Sequence, residues 1–266
     1  MRSALILAAL ALLPATSFAQ QDDDEWLENC QSQKWNRRPT ACDVRVQRIA
    51  ARDLLTVRPG QNGAVQIIAE DRRDLEVHTR IQASADSRGD AADVLRRVVV
   101  EYGSTVTTRG PDRDDDEHWA ASFIIYVPRN TNLDLETRNG PISVKNVVGK
   151  MELSAHNGPI QLSGVGGDVR ANAQNGPLQV RLTGTRWNGA GLDAETQNGP
   201  VQLTIPETYN AVLETGTVNG PVETDFPINI TLNGRHNWKR FTTKLGDGGA
   251  RVRVVTTNGP LSLRRP

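Results

Sequence analysis

The stretch Leu133-Asp-Leu-Glu-Thr-Arg-Asn-Gly-Pro-Ile-Ser-Val144 decides the fold, because its pattern returns along the second half of the chain. Asn-Gly-Pro stands at Asn139, Asn157, Asn175, Asn198, Asn219 and Asn258, in steps of 18, 18, 23, 21 and 39 residues, the last close to two periods. Self-similarity at this spacing marks a repeat architecture. With Asn as position zero, positions −6, −4 and −2 are apolar or small nearly throughout. They read Leu133, Leu135, Thr137 in the first unit, Val169, Ala171, Ala173 in the third and Val252, Val254, Thr256 in the last. Positions −5, −3 and −1 are mostly polar, as in Glu152, Ser154 and His156. The alternation resumes after Pro, with Ile160 and Leu162 facing in and Gln161 between them facing out. Period two on both sides of the tripeptide describes two half-buried strands joined at a corner.

Two architectures fit. Asn-Gly between alternating runs is a hairpin signal and would give an antiparallel meander. A two-residue hairpin, however, closes through the N–H of the residue after Gly, and here that residue is always Pro, which has none. Pro is tolerated as the first residue of a strand after a wider bend. The preferred reading is all-β: a β-solenoid (single-stranded β-helix) of about 18–23-residue coils with irregular N- and C-terminal caps, its equivalent positions stacked in parallel ladders. Asn shares parity with the inward positions, so its side chain is expected at the corner of the interior. There the six carboxamides can bond to one another as a structural ladder. A row of six aligned Asn side chains reading a ligand is the competing interpretation.

Glycines mark the second corner: Gly149, Gly166-Gly167, Gly189, Gly191 and the run Gly246-Asp-Gly-Gly249. Unit length varies at this corner, and the extra residues, 185–191 and 206–210, carry Trp187 and Tyr209. Insertions in repeat proteins gather on one face, often the binding face. Trp187 and Tyr209 are therefore the candidate ligand contacts, by stacking on a sugar or a partner. Covering the flank of a thin core is the alternative use, and the favoured one.

The chain begins like a secretory leader. Arg2 precedes an unbroken apolar run over residues 4–13, and Ser17-Phe18-Ala19 is a small-x-small cleavage site, so residues 1–19 read as a signal peptide. No later stretch reaches the length of a membrane-spanning helix. The expectation is export, to the periplasm or exterior of a bacterium. Removing Arg2 with the leader leaves 30 Lys and Arg against 31 Asp and Glu, which gives no basic face for nucleic acid and no cluster for anionic lipid. Cys30 and Cys42, the only cysteines, are expected to pair as a disulfide in an exported chain, worth about 3 kcal/mol for a loop of this length. They fall in an N-terminal segment, residues 20–42, in which 22–25 reads as a disordered acidic leader. Residues 43–128 read as β-rich opening coils or a cap, with strands over 44–49, 64–69, 75–83, 98–102, 104–108 and 120–127, and with 90–97 as the only helix. Residues 129–266 are the Asn-Gly-Pro solenoid, its tail from 227 onward forming the cap at the far end.

No catalytic, cofactor or metal site is expected. His78, His118, His156 and His236 share no metal-ligand spacing. The run Asp112-Arg-Asp-Asp-Asp-Glu-His118 lacks the alternation and Gly of a calcium loop and reads as a solvated acidic loop. The outward carboxylates Asp134, Glu136, Glu152, Asp193 and Glu195, with Arg170 among them, keep one enzymatic alternative open. That alternative is a glycoside hydrolase or lyase acting on envelope or matrix polysaccharide through a carboxylate pair.

The run Ile125-Tyr-Val-Pro128 followed by Leu133 to Val144 resembles the bacterial putative-adhesin β-helix family. So do the repeated Asn-Gly-x-apolar units and the closing Leu245-Gly-Asp-Gly-Gly249 and Thr257-Asn-Gly-Pro-Leu-Ser-Leu263. The likeness spans about residues 43–264. It implies a β-helix and an exported, non-enzymatic adhesion or scaffold module that binds a glycan or an envelope or surface protein. It supplies no catalytic residues.

Overall fold

Residues 18–35, 37–112, 116–226 and 240–266 are described by a computed structural model. The apolar leader run 4–13, residues 113–115 of the acidic loop and His236 lie outside the described residues. The chain opens with α1 (Phe18–Ser32), then β1 (Thr40–Ala50), β2 (Leu54–Arg58), β3 (Val65–Glu70), β4 (Asp74–Ser84), α2 (Arg88–Arg97), β5 (Val99–Tyr102), β6 (Thr105–Arg109) and β7 (His118–Pro128). The repeats then give two strands each: β8 (Asn132–Asn139) and β9 (Ile142–Lys145), β10 (Val148–Asn157) and β11 (Ile160–Ser163), β12 (Gly166–Asn175) and β13 (Leu178–Arg181). These are followed by β14 (Gly191–Asn198) and β15 (Val201–Thr204), then β16 (Ala211–Asn219) and β17 (Val222–Thr224). The chain closes with β18 (Arg240–Leu245), β19 (Arg251–Asn258) and β20 (Leu261–Arg264).

The fold is all-β in two ten-stranded sheets. One runs β1-β4-β7-β3-β9-β11-β13-β15-β20-β17, the other β18-β16-β19-β14-β12-β10-β8-β2-β6-β5. The tripeptide is the point at which each unit leaves one sheet for the other. Repeat strands pair parallel and in register: Leu133, Met151, Val169, Leu192, Val252 and Leu213 form one column. Because side chains alternate with period two, a slip of one residue would turn every column to solvent, so the buried face fixes the register. The columns are dry: Leu133, Met151, Val169, Leu192, Val252 and Leu213 are all buried. Each such side chain contributes about 1.5–3 kcal/mol of transfer free energy.

The corner is built from backbone. Gly140 N–H donates to Asn157 C=O at 2.9 Å and Ile142 N–H to Pro159 C=O at 2.9 Å, and the same pair of bonds recurs from unit to unit. Pro supplies an acceptor at the start of each second strand and has no donor to leave unpaired. A Cβ built on Gly158 would stand 2.3 Å from Gly140 O, so only glycine admits this approach. At position −2 the buried hydroxyls of Thr137, Thr196, Thr217 and Thr256 donate to the carbonyls of Gly140, Gly176, Gly259 and Gly199 at 2.8–2.9 Å.

Four expectations need correction. First, the tail is only partly a cap: β18 lies on the outer edge of one sheet, but the last repeat does not. β19 lies between β14 and β16, and β20 between β15 and β17, so the last repeat is threaded between two earlier ones. Residues 225–250, which include the antiparallel β18 on the outer edge of β16, give the chain length to double back. Second, residues 54–70 form a further unit in the repeat register. Leu55 and Val57 pair with Leu133 and Leu135, Val65 and Ile67 with Ile142 and Val144, and Asn62 bridges to Asn139. Third, residues 22–25 are helical within α1, and 90–97 (part of α2) is not the only helix. Fourth, the six corner Asn side chains are exposed, because the chain is already bending out of the strand at position zero and inward parity has ended.

Candidate functional surface

The corner carboxamides still bond along the stack axis. Asn157 Nδ2 donates to Asn139 Oδ1 at 2.9 Å, Asn175 to Asn157 at 3.0 Å, Asn198 to Asn175 at 2.9 Å, Asn258 to Asn198 at 2.8 Å and Asn219 to Asn258 at 2.8 Å. At the other end Asn139 donates to Asn62 Oδ1 at 3.0 Å. Each amide from Asn139 to Asn258 uses its acceptor toward one neighbour and its donor toward the other, while Asn219 at the end donates only, so the row is engaged with itself along the axis.

Beside this column, positions −3 and −1 of four units line an open trough of about 470 Å³. Its walls are Glu136, Arg138, Ser154, His156, Asn172, Gln174 and Gln197. Parallel pairing sets these groups at the strand spacing of about 4.8 Å, so one hydroxyl, one imidazole and three amides are presented as a regular row, with the Glu136 carboxylate and the Arg138 guanidinium at its β8 end. On the opposite sheet Gln66, Ser143, Gln161, Gln179, Gln202 and Ser262 form a second in-register polar row, shallower and flanked by Lys145 and Arg181.

The outward carboxylates are spread along the face and taken up by arginines. Arg58 meets Asp134 at 2.8 Å and Glu136 at 3.0 Å. Arg253 meets Asp193 at 2.5 Å, Glu195 at 3.0 Å and Glu214 at 3.3 Å, while Glu152 faces Arg170 at 3.9 Å. Burial would lower the Arg253 guanidinium, yet its bonds to Asp193 and Glu195 raise it above its ordinary value. Glu136 and Glu195 are three strands apart, about 14 Å at the sheet spacing, against about 5–9.5 Å in glycosidase pairs.

Trp187 and Tyr209 are not surface contacts: they are 5 % and 3 % exposed. Trp187 Nε1 donates to Gly167 O at 2.9 Å, and burial pushes the Tyr209 phenol up to about 12. The insertions that carry them fold back over the second corner, where the narrow interior needs large side chains to close it. Neither ring is available to stack on a sugar.

At the N-terminal end α1 is fastened by charge. Asp23, 6 % exposed, bonds His78 Nδ1 and accepts from Arg80 Nε at 2.8 Å, while His78 Nε2 meets Glu76 Oε1 at 2.9 Å. Burial would raise Glu76, but hydrogen bonds from His78, Arg72 and Arg48 hold it down to about 2. The Cys30–Cys42 disulfide ties the end of α1 to β1. Among the described residues no three His, Cys, Asp or Glu are grouped to hold a metal, and no helix is long and apolar enough to cross a membrane.

The family described as Toastrack DUF4097 matches residues 129–264, half of the chain. This chain belongs to that family. No curated protein matches it. A solved structure of a putative cell adhesion protein from Clostridium sporogenes is similar, with a TM-score of 0.42, 9% identity and coverage of 85% of this chain and 100% of that one. A putative adhesin from Bacteroides fragilis gives 0.38 and 9%, over 84% of this chain and 97% of that one. A putative lipid binding protein from Parabacteroides distasonis gives 0.31 and 8%, over 83% and 96%.

The family match begins after β7 and so leaves out the unit at Asn62. Its signal was in the sequence: Asn62-Gly63-Ala64 has alternation on both sides, but Ala replaces Pro and one extra residue separates the corner from Val57. The clamp on α1 had no sequence signal, because Asp23 and His78 are 55 residues apart.

Proposed function

We propose that this chain is an exported, non-enzymatic β-solenoid that serves the bacterial envelope as a binding or scaffold module. The surface that does the work is the trough lined by Ser154, His156, Asn172, Gln174 and Gln197. The observation that carries the reading is the repetition of hydrogen-bonding groups, uncharged from Ser154 to Gln197 and charged only at Glu136 and Arg138 on β8, at one strand spacing along an open face. Such a row complements an extended polar chain with its own short repeat, and a glycan strand is the class we favour. A protein partner of the envelope or surface is the other outcome. The solenoid reading rests on the parallel in-register stacking of units that each give one strand to each sheet. Export is supported by the leader-like residues 1–19 and by the disulfide, which persists in oxidising compartments.

Binding of purified protein to a glycan array, compared with a His156→Ala/Asn172→Ala/Gln174→Ala variant, tests the site. Loss of binding with unchanged melting temperature supports it. Binding that survives the triple change removes it, and release of reducing sugar from any bound polysaccharide would favour the hydrolase reading instead. Cell fractionation with N-terminal sequencing tests export, with Gln20 as the expected first residue.

A further inference from the structure

Asn-Gly is the dipeptide most prone to spontaneous deamidation, because glycine leaves its own nitrogen sterically free to attack the preceding side chain. In that reaction the Gly nitrogen forms a bond to Asn Cγ while the Cγ–Nδ2 bond breaks. Ammonia leaves with the proton that the peptide nitrogen gives up, and a five-membered succinimide remains. Water then opens the ring at either carbonyl to aspartate or isoaspartate, so the net change consumes one water and releases one ammonia. A chain that repeats Asn-Gly at its surface is exposed to this chemistry at every unit.

The stack holds the reacting atoms apart in six of these pairs. Gly63, Gly140, Gly158, Gly176, Gly199 and Gly259 each donate their N–H to the Asn carbonyl of the neighbouring unit at 2.9–3.0 Å. In the same pairs the carboxamides of Asn139, Asn157, Asn175, Asn198 and Asn258 are held at both ends by the ladder, and Asn62 accepts from Asn139. A glycine nitrogen bonded into a neighbour's ladder cannot turn toward Cγ without breaking that bond. Two pairs are different. Outside the Asn219 unit lies only β18, whose pairing covers Ala211–Gly216 and stops short of the corner, and among the described residues no acceptor meets Gly220 N–H. Asn219 Nδ2 donates to Asn258, but no described residue donates to Asn219 Oδ1. Asn188 sits exposed in the 185–191 insertion; its carbonyl accepts from Gly167 N–H, yet Gly189 N–H meets no acceptor among the described residues.

We propose that Asn188 and Asn219 are the deamidation sites of this protein, and that the ladder protects the other six. The products have a defined structural effect. A carboxylate at position 219 cannot donate to Asn258 Oδ1, so the terminal rung opens, and isoaspartate at 188 displaces the carbonyl that receives Gly167 N–H. Asn233-Gly234 lies outside the described residues and takes no part in the comparison.

The test is peptide mapping of the full folded chain during incubation at pH 8.5 and 37 °C, with mass spectrometry reading the gain of one dalton at each Asn. The expected result is that Asn188 and Asn219 convert at least about tenfold faster than Asn139, Asn157, Asn175, Asn198 and Asn258, the factor that one ordinary hydrogen bond supplies. In urea the differences among all these positions should collapse. Similar rates in the folded chain, or a ladder position leading, overturn the proposal. So does retention of the same ranking in urea, which would make local sequence the cause.

Discussion

The repeat stack and the N-terminal buttress of α1, β1 and β4 are held together by different chemistry. In the stack, the buried joints between units are neutral: carboxamide to carboxamide, glycine N–H to carbonyl, threonine hydroxyl to carbonyl, aliphatic column to aliphatic column, with ion pairs such as those of Arg253 added on the outward face. Charges sit on its outer faces, where salt screens them and each pair is worth little. In the buttress the contact is ionic and buried, with Asp23, His78, Glu76, Arg72 and Arg80 in one network. Repetition explains the contrast. Like charges in register would repel at every step, so a stack of near-identical units must join through groups that both donate and accept, whereas a unique helix can be matched by unique charges.

The largest test of this contrast is on the side of packing. Trp187→Ala removes a buried indole and the bond to Gly167 O, and should destabilise the stack by about 4 kcal/mol. Thermal melting checks it, and an unchanged melting temperature would return Trp187 to the surface. Next, Gly158→Ala forces a methyl toward Gly140 O and should cost about 3 kcal/mol, whereas Gly103→Ala, with no atom within 4 Å of its Cβ, should be close to neutral. Equal melting temperatures for these two variants would break the close-approach account of the corner.

Acid separates the two regions directly. The Glu76 carboxyl has a folded pKa of about 2, below the ordinary 4.5, so the folded state binds its proton less readily than the unfolded chain. Its contribution is complete above about pH 4.5 and is lost as pH falls toward 2. Hydrogen exchange should therefore show α1 amides opening in that window while the repeat strands stay protected. Glu76→Gln should loosen α1 by about 2 kcal/mol at neutral pH and flatten this acid dependence. Simultaneous opening of both regions would erase the distinction. Smallest is Asn175→Ala, which removes two exposed amide bonds and should cost about 1 kcal/mol, since water replaces part of what is lost.

Much of the stack was legible because one pattern is written many times. Alternation around Asn139 gave two strands per unit, and Pro141 argued against a hairpin, so parallel pairing followed from chain chemistry. What repetition could not convey was order. Nothing in Val252, Val254 and Thr256 distinguishes a last unit laid on the end from one inserted before Asn219, since both bury the same columns. The exposure of the Asn column was missed because parity was carried one residue past the bend. Trp187 and Tyr209 were placed on the correct insertions, but a large aromatic ring in a loop reads the same whether it faces solvent or folds inward.

The threading of the final repeat has a consequence for how the molecule is made. Strands β16 and β17 find none of their sheet neighbours among residues already synthesised: those neighbours, β18, β19 and β20, all leave the ribosome later. Zippering from the first turn onward can advance only as far as β15. Everything after it must wait for residues 240–264, so β16 and β17 are joined to the stack only once β19 and β20 have been made. A nascent or clipped chain lacking residues 251–266 would carry an open sheet edge at β14, together with an orphaned segment of near-matching pattern, β16, able to occupy it in place of β19.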